Sequence, residues 1–309
     1  MAAIEITGLT KTYTVGFWRK RPKCALKPLT LTVEDGEIFG YLGPNGAGKT
    51  TTLKLLMGLI FPSGGGARIL GKPMDDPSIK AQIGFLPEQP YFYDYLTAAE
   101  LLTYYAQLSG VSARERRTRV DDVLHRVGLT DSRRTQLRKL SKGMLQRVGI
   151  AQAILHDPKV VFLDEPMSGL DPIGRREVRD LIATLKEEGK TVFFSTHILS
   201  DAEALCDRVA VLNKGELRVI GSVGELTSRA QGRVEVIYQG IRAAALDRLV
   251  IESHSTGETT RIIVAQDSLD AAIEAIRRAN AKLLSVNPVR STLEDYFVEK
   301  IADPVEAVP

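Results

Sequence analysis

Cysteine and tryptophan are scarce in this chain: 309 residues carry two Cys, Cys24 and Cys206, and a single Trp. Two thiols cannot build a disulfide framework, so stability must come from a hydrophobic core, and a reducing compartment is the simplest expectation. Long apolar runs are missing too. Nothing approaches the ~20 consecutive apolar residues that a helix needs to cross a bilayer, and runs such as 160–163 are strand-sized. The chain is therefore not expected to form a channel by itself. Residues 1–13 lack a basic segment followed by an apolar one, so no secretory signal is read there. Nor is there an excess of one charge: 41 Lys and Arg against 38 Asp and Glu leave a net +3, too balanced to imply nucleic acid by bulk attraction. Any anionic ligand must be held by a local site. The four His have no ligand spacing with the two Cys, so no structural metal is expected. Fixed-period repeats and low-complexity tracts are absent as well.

What is present is an average globular composition, 44% hydrophobic and 26% charged. The length suits one large α/β domain of about 200 to 250 residues plus a smaller unit. Segments 4–7 and 25–33 read as an antiparallel opening, and Asp35-Gly36 turns the chain into a buried strand at 38–42. A Gly-rich segment, 43–48, then leads into a helix over 51–59, where Leu53, Leu56, Met57 and Ile60 share one face. The stretch 97–154 is helix-rich, with a capping box at Ser112 and Glu115 and a second helix opened by Ser141. Strands at 160–163 and 191–195 flank a helix started by Asp171 as N-cap and Pro172. Alternating strands and helices imply an α/β fold with a mostly parallel sheet covered on both faces. Residues 212–216 read as a hairpin turn. Beyond Gly221 the texture changes: strands at 234–238, 261–265 and 283–287, with Leu269, Ile273 and Ile276 at helical spacing, make a small α+β domain. With the joint at Gln231-Gly232, the expected domains are 1–230 and 231–309.

Gly43-Pro-Asn-Gly-Ala-Gly48-Lys49-Thr50 satisfies the phosphate-binding loop pattern, including its setting between a strand and a helix. Glycines let backbone N–H groups close on phosphate oxygens, and the helix N-terminus adds partial positive charge. Lys49 can reach the β and γ phosphates; the Thr50 hydroxyl can ligate Mg²⁺. The strand at 160–163 ends in Asp164 and Glu165, the first placed to hold the hydration shell of Mg²⁺ and the second to polarise a water. His197 follows the strand at 191–195. The acid pair and the histidine are each weak alone, but they and the glycine loop all lie at carboxyl ends of strands, where open parallel sheets bind ligands.

Leu140-Ser141-Lys142-Gly143-Met144, leading into Gln146-Arg147, resembles the nucleotide-binding subunits of ATP-binding cassette (ABC) transporters, whose motif here is Leu-Ser-Gly-Gly-Gln. The resemblance spans roughly residues 3–229, a phosphate-loop domain with a mostly parallel sheet, an antiparallel subdomain and a helical subdomain. It implies ATP and Mg²⁺ as ligands, with Asn45, Gly46, Ala47, Gly48 and Thr51 on the nucleotide beside Gly43, Lys49 and Thr50. Tyr13 matches the aromatic that stacks on adenine, Gln89 the glutamine that senses Mg²⁺ and the permease, Ser168-Gly-Leu-Asp171 the loop after the second acid, and His197 the switch histidine. Ser141 and Gly143 of one subunit are implied to cover the ATP of another in a head-to-tail homodimer, beneath separate transmembrane permease chains at the cytoplasmic membrane face. Lys142 and Met144 depart from the motif, and with the appended tail they resemble exporter-type ATPases.

Two rival readings are an importer subunit and a soluble ABC protein acting on nucleic acid or ribosomes. The second usually carries two cassettes or a long coiled coil, and this chain has one cassette and no sustained heptads. No nucleic acid is expected: the basic stretch holding Arg114, Arg116, Arg117, Arg119, Arg133, Arg134 and Arg138 has no aromatics interleaved and reads as a solvated face. The segment 16–23 joins two aromatics to four positive charges, either a contact to permease or anionic leaflet or a solvated turn. Leu293, Phe297 and Ile301 form a terminal helical stripe, for a dimer contact or for packing on its own domain.

Overall fold

The computed structural model describes residues 2–16, 19–227, 232–240, 246, 248–289 and 292–294. Phe17, Trp18, Gln231, Phe297 and Ile301 lie outside them. The chain divides into two compact units, Met1–Val223 and Gly224–Pro309, where the sequence places the joint at Gln231-Gly232.

The first unit opens with β1 (Ala2–Val15) and β2 (Arg21–Glu34). Further along the chain, after one strand and one helix, β4 (Gly64–Ile69) and β5 (Lys72–Pro73) complete a four-stranded sheet of order β2-β1-β4-β5. Its pairs are antiparallel. The hairpin runs further than the apolar alternation suggests. Tyr13 pairs with Lys23 and Val15 with Arg21, so Arg21 and Lys23 are strand residues rather than part of an inserted loop.

The second sheet follows the order β10-β9-β3-β8-β7-β6. It is built from β3 (Ile38–Leu42), β6 (Ile83–Leu86), β7 (Val160–Asp164), β8 (Thr191–Thr196), β9 (Arg208–Asn213) and β10 (Glu216–Ser222). All pairs are parallel except β9 with β10, a hairpin turning at Lys214-Gly215. Every residue of β3, β7 and β8 is buried, the pattern of parallel strands covered on both faces. In register, Leu42 stands beside Thr196, and Asp164 beside Ser195. The residues that leave these strands, Gly43, Glu165 and His197, therefore emerge along one edge.

Helix α1 (Lys49–Leu56) follows β3 directly and starts earlier than its apolar stripe. Its Leu53, Leu55 and Leu56 pack with Phe39, Tyr41, Phe162 and Phe193 of the parallel sheet, and with Ile4, Ile6, Leu9, Leu26 and Leu29 of the antiparallel one, in a single core. Between β6 and β7 come α2 (Ala98–Leu108), α3 (Arg116–Arg126) and α4 (Lys142–Ile154). Thr97 caps α2 through a full capping box. Ser112 and Glu115 do bond each other, but in a turn ahead of α3, which begins at Arg116. Helices α5 (Pro172–Glu187), α6 (Leu199–Leu205) and α7 (Val223–Thr227) follow.

The second unit is a four-stranded antiparallel sheet of order β12-β13-β11-β14, from β11 (Arg233–Gln239), β12 (Val250–Thr256), β13 (Thr259–Ala265) and β14 (Lys282–Pro288). Helix α8 (Leu269–Arg278) lays Ala272, Ala275 and Ile276 on Val234, Val236, Tyr238, Ile262 and Val264.

Candidate functional site

The loop between β3 and α1 is shaped by close backbone approaches that only glycine allows. Gly48 has φ 110°, and a Cβ there would lie 2.7 Å from the Ala25 carbonyl oxygen. Gly43 is similarly pressed, 2.4 Å from the Leu212 carbonyl oxygen by the same measure. From the far side, the β9–β10 turn clamps the loop, Gly215 N–H donating to the Ala47 carbonyl at 2.9 Å. Tyr41 Oη lies 3.1 Å from Thr52 Oγ1, which itself donates to the Gly48 carbonyl at 3.1 Å. The N-terminus of α1 carries no side-chain cap, so its first N–H groups remain available to an anion.

Lys49, the first residue of α1, is 6% exposed. Its Nζ donates to the carbonyls of Gly43 at 2.6 Å and Pro44 at 3.3 Å, and stands 3.1 Å from Glu165 Oε1. That last contact is ionic without hydrogen-bond geometry, because Glu165 Oε1 is buried and has no hydrogen-bond partner. The other oxygen, Oε2, lies 2.9 Å from His197 Nδ1. Glu165 also holds a left-handed backbone, φ 49°, a conformation that costs a side-chain-bearing residue about 1 to 3 kcal/mol and concentrates at functional sites. Ser195 secures this turn. Its Oγ accepts the Glu165 N–H at 3.0 Å and donates to Asp164 Oδ1 at 2.5 Å, while its carbonyl takes the same N–H at 3.2 Å. Asp164 is buried.

A cleft of about 760 Å³ opens over the loop. Of the residues singled out in the sequence, Tyr13, Asn45, Gly46, Gly48, Lys49, Thr50, Thr51 and Glu165 line it. Asp164 and His197 lie behind this wall, tied to Glu165 through Ser195 and directly. Lys11 places its ammonium 5.0 Å from the Tyr13 ring centroid. Gln89 is exposed on the bend after β6 and is not in the wall; its neighbour Glu88 is. Ser141, Gly143 and Asp171 form a separate group. Ser141 caps α4 by accepting the Met144 N–H at 3.2 Å, and Asp171 caps α5 by accepting the Gly174 N–H at 2.9 Å. Sequence reasoning missed Ser195, Lys214 and Glu88. Only Ser195 had a usable signal, as the polar residue of an apolar strand in register with Asp164.

The cradle of backbone N–H groups, the buried Lys49 and the hydrogen-bond-free Glu165 Oε1 fit a polyphosphate and a water. Among the described residues no group of three or more His, Cys, Asp or Glu is placed to hold a metal. A divalent cation would need Thr50 and Asp164 together with phosphate oxygens.

A glycine loop with its lysine, at the carboxyl edge of a parallel sheet, defines the class: a phosphate-loop protein that binds nucleoside triphosphates. Residues 26–168 match the ABC transporter family. An ABC transporter ATP-binding protein of Synechocystis is 46% identical over 302 residues, 97% of this chain and 85% of that protein. The fluoroquinolones export ATP-binding protein of Mycobacterium tuberculosis is 37% identical over 302 residues, 96% of this chain and 92% of that one. A solved ATP-binding cassette, a dimer in a post-hydrolysis state with ADP and phosphate, is 29% identical with TM-score 0.64, covering 71% of this chain and 98% of that one. The chain belongs to the ABC transporter ATP-binding proteins.

Proposed function

We propose that this chain is the ATP-hydrolysing, energy-coupling subunit of an exporter, acting as a homodimer on separately encoded permease chains at the cytoplasmic membrane face. The observation that carries the reading is Glu165: a buried carboxylate at a strand end, held between Lys49 and His197, with one oxygen free of hydrogen bonds. In this reading the N–H groups of Asn45 to Thr51 hold the phosphates, and Lys49 neutralises them. Thr50 and Asp164 would hold Mg²⁺, which would neutralise charge on the phosphates. Glu165 takes a proton from the attacking water, and His197 keeps that carboxylate aimed. Tyr13 stacks on adenine. Gln89, exposed outside the cleft, would serve only after its bend moves inward, a fitting place for a residue that reports on the permease. Ser141 and Gly143 face no phosphate in their own subunit and serve the nucleotide of the second copy, with Asp171 holding the adjoining loop.

No helix among the described residues is long and apolar enough to cross a membrane, and this reading assigns the permease to other chains. The surface that suits it is an aromatic ridge, with Tyr91 93% exposed and Tyr93 in ring contact with Tyr95 and Tyr104. The fold sets Arg138 beside this ridge by a backbone bond from its N–H to the Asp94 carbonyl, an adjacency invisible in the sequence. Export is supported by the Mycobacterium relative's name and by the Lys-Gly-Met segment.

Glu165→Gln should slow hydrolysis by about 10² to 10⁴ while ATP is still bound, because the base is lost and the loop is intact. Lys49→Ala should instead weaken ATP binding by about 10- to 100-fold. Turnover of Glu165→Gln within a few-fold of wild type removes Glu165 from its role. Reconstitution with the permease in vesicles decides direction: substrate moving away from the ATP-exposed side supports export, and the reverse supports the importer reading.

A further inference from the structure

Tyr13 lines the nucleotide cleft, yet the hydrophobic core does not hold it there. Leu9, Lys11 and Tyr13 are alternate residues of β1 and share one face of the strand. Leu9 is fully buried in the core of the first unit. Lys11 and Tyr13 are only partly buried and lie beyond that core. What meets the Tyr13 ring is a charge, the Lys11 ammonium at 5.0 Å from its centroid, within the reach of a cation–π contact. Lys11 stands outside the cleft wall, whereas Tyr13, Val15 and Lys23, the cross-strand neighbour of Tyr13, belong to it. The ammonium therefore approaches the ring from outside the cleft and leaves its other side to the cleft. Its position is fixed by backbone that follows α1: Lys11 Nζ donates to the Phe61 carbonyl at 2.7 Å. That backbone is itself pinned along β1, with the Thr12 N–H donating to Ser63 Oγ at 3.0 Å and the Ser63 N–H to the Thr10 carbonyl at 2.8 Å.

We infer that Lys11 is a positioning residue for the base of the nucleotide: held between the Phe61 carbonyl and the Tyr13 ring, its ammonium sets that ring against the cleft so that the free face stacks on adenine. This rests on the reading of Tyr13 as the adenine-stacking residue and deepens it. Two effects act together. The anchored ammonium restricts a ring that no core packing restrains, and it draws on the electron density of the ring face, which leaves the opposite face a better partner for an electron-rich base. The phosphates are held elsewhere, by Lys49 and the N–H groups of the glycine loop, so the contribution of Lys11 is confined to ligands that carry a base.

The test measures displacement of a ribose-labelled ADP from the full chain by unlabelled ADP and by inorganic tripolyphosphate, which lacks the base. Lys11→Met keeps an apolar stem and loses the ammonium. It should weaken ADP by about two- to fivefold, the range of a cation–π contact at a partly exposed site, and leave tripolyphosphate unchanged. Lys11→Arg, whose guanidinium both donates and stacks on rings, should bind ADP to within about twofold of wild type. Tyr13→Ala should weaken ADP by about 5- to 100-fold, the range of base stacking, and Lys11→Met added to Tyr13→Ala should weaken it no further. ADP affinity of Lys11→Met equal to wild type, beside a clear loss in Tyr13→Ala, overturns the inference alone. A matching loss of tripolyphosphate affinity also overturns it, assigning Lys11 to the phosphates or to the loop that holds them. So does a loss from Lys11→Met that is as large without the Tyr13 ring as with it. Tyr13→Ala binding ADP as wild type does overturns the adenine reading and this inference together.

Discussion

The two units solve the same problem, covering a sheet, in opposite ways. In the first, β3, β7 and β8 are buried at every position, and their parallel register brings the carboxyl ends to one edge. Polar residues there are held by the backbone of neighbouring strands, as Glu165 is by Ser195. In the second, the described strands are antiparallel, helix α8 packs on the sheet, and β12 is largely exposed. Its depression of about 350 Å³ is walled, among the described residues, by Glu252, Ser253, His254, Arg261 and Ile263 on two adjacent strands. A parallel sheet concentrates chain departures at one edge, whereas an antiparallel sheet alternates them between both. The location of the chemistry follows from that.

The strongest way to break the comparison is to damage one unit and watch the other. Ile276 is fully buried between α8 and the second sheet. Ile276→Ala should cost about 2 to 5 kcal/mol within that unit, seen as accelerated hydrogen exchange over 233–288. ATP hydrolysis should stay within a few-fold of wild type. A matching collapse of hydrolysis would mean that the cleft depends on the second unit's core.

A smaller effect, confined to the first unit, is expected at Ser195. Ser195→Ala removes the hydroxyl that joins Asp164 to the Glu165 N–H. Leaving these buried groups short of a partner costs about 1 to 3 kcal/mol and loosens the turn that aims Glu165. Hydrolysis should fall by about tenfold while ATP affinity, set by Lys49 and the loop, is kept. Equal losses in both would show that Ser195 supports the loop rather than the carboxylate.

How well each part could be read from the sequence follows the same division. Continuous apolar strands and the glycine loop announce themselves locally, so β3, β7, β8 and the residues after them were legible. The N-caps at Ser141 and Asp171 were too. The strand β12 was not, because its side chains are mostly solvent-facing and polar, which removes the alternation that marks a half-buried strand. The length of β1 and β2 was hidden for the same reason: beyond Leu26 the hairpin is held by backbone bonds between exposed residues. Glu88 in the cleft and the backbone bond from Arg138 to Asp94 depend on contacts distant in sequence, and no local pattern encodes them.

The finest test compares two tyrosines, one from each unit, that are equally inaccessible. Tyr41 and Tyr238 are both fully buried. Burial pushes the Tyr41 phenol well above its ordinary pKa, and its Oη is paired with Thr52 Oγ1 at 3.1 Å. Because the Thr52 hydroxyl proton goes to the Gly48 carbonyl, the phenol is the donor in that pair. Tyr41→Phe should therefore lose about 1 kcal/mol and relax the base of the phosphate loop. Tyr238 Oη is buried without a hydrogen-bond partner among the described residues, so its polar atom bears the desolvation cost and returns nothing. Tyr238→Phe keeps the ring that packs against α8 and removes that burden, and the unit should be as stable as before or more so by up to about 1 kcal/mol. Denaturant midpoints with unchanged slopes would measure both. A loss at Tyr238 as large as that at Tyr41 would mean that its hydroxyl finds a partner in solution, and the contrast between a core buttressing a site and a core serving only itself would no longer hold at that position.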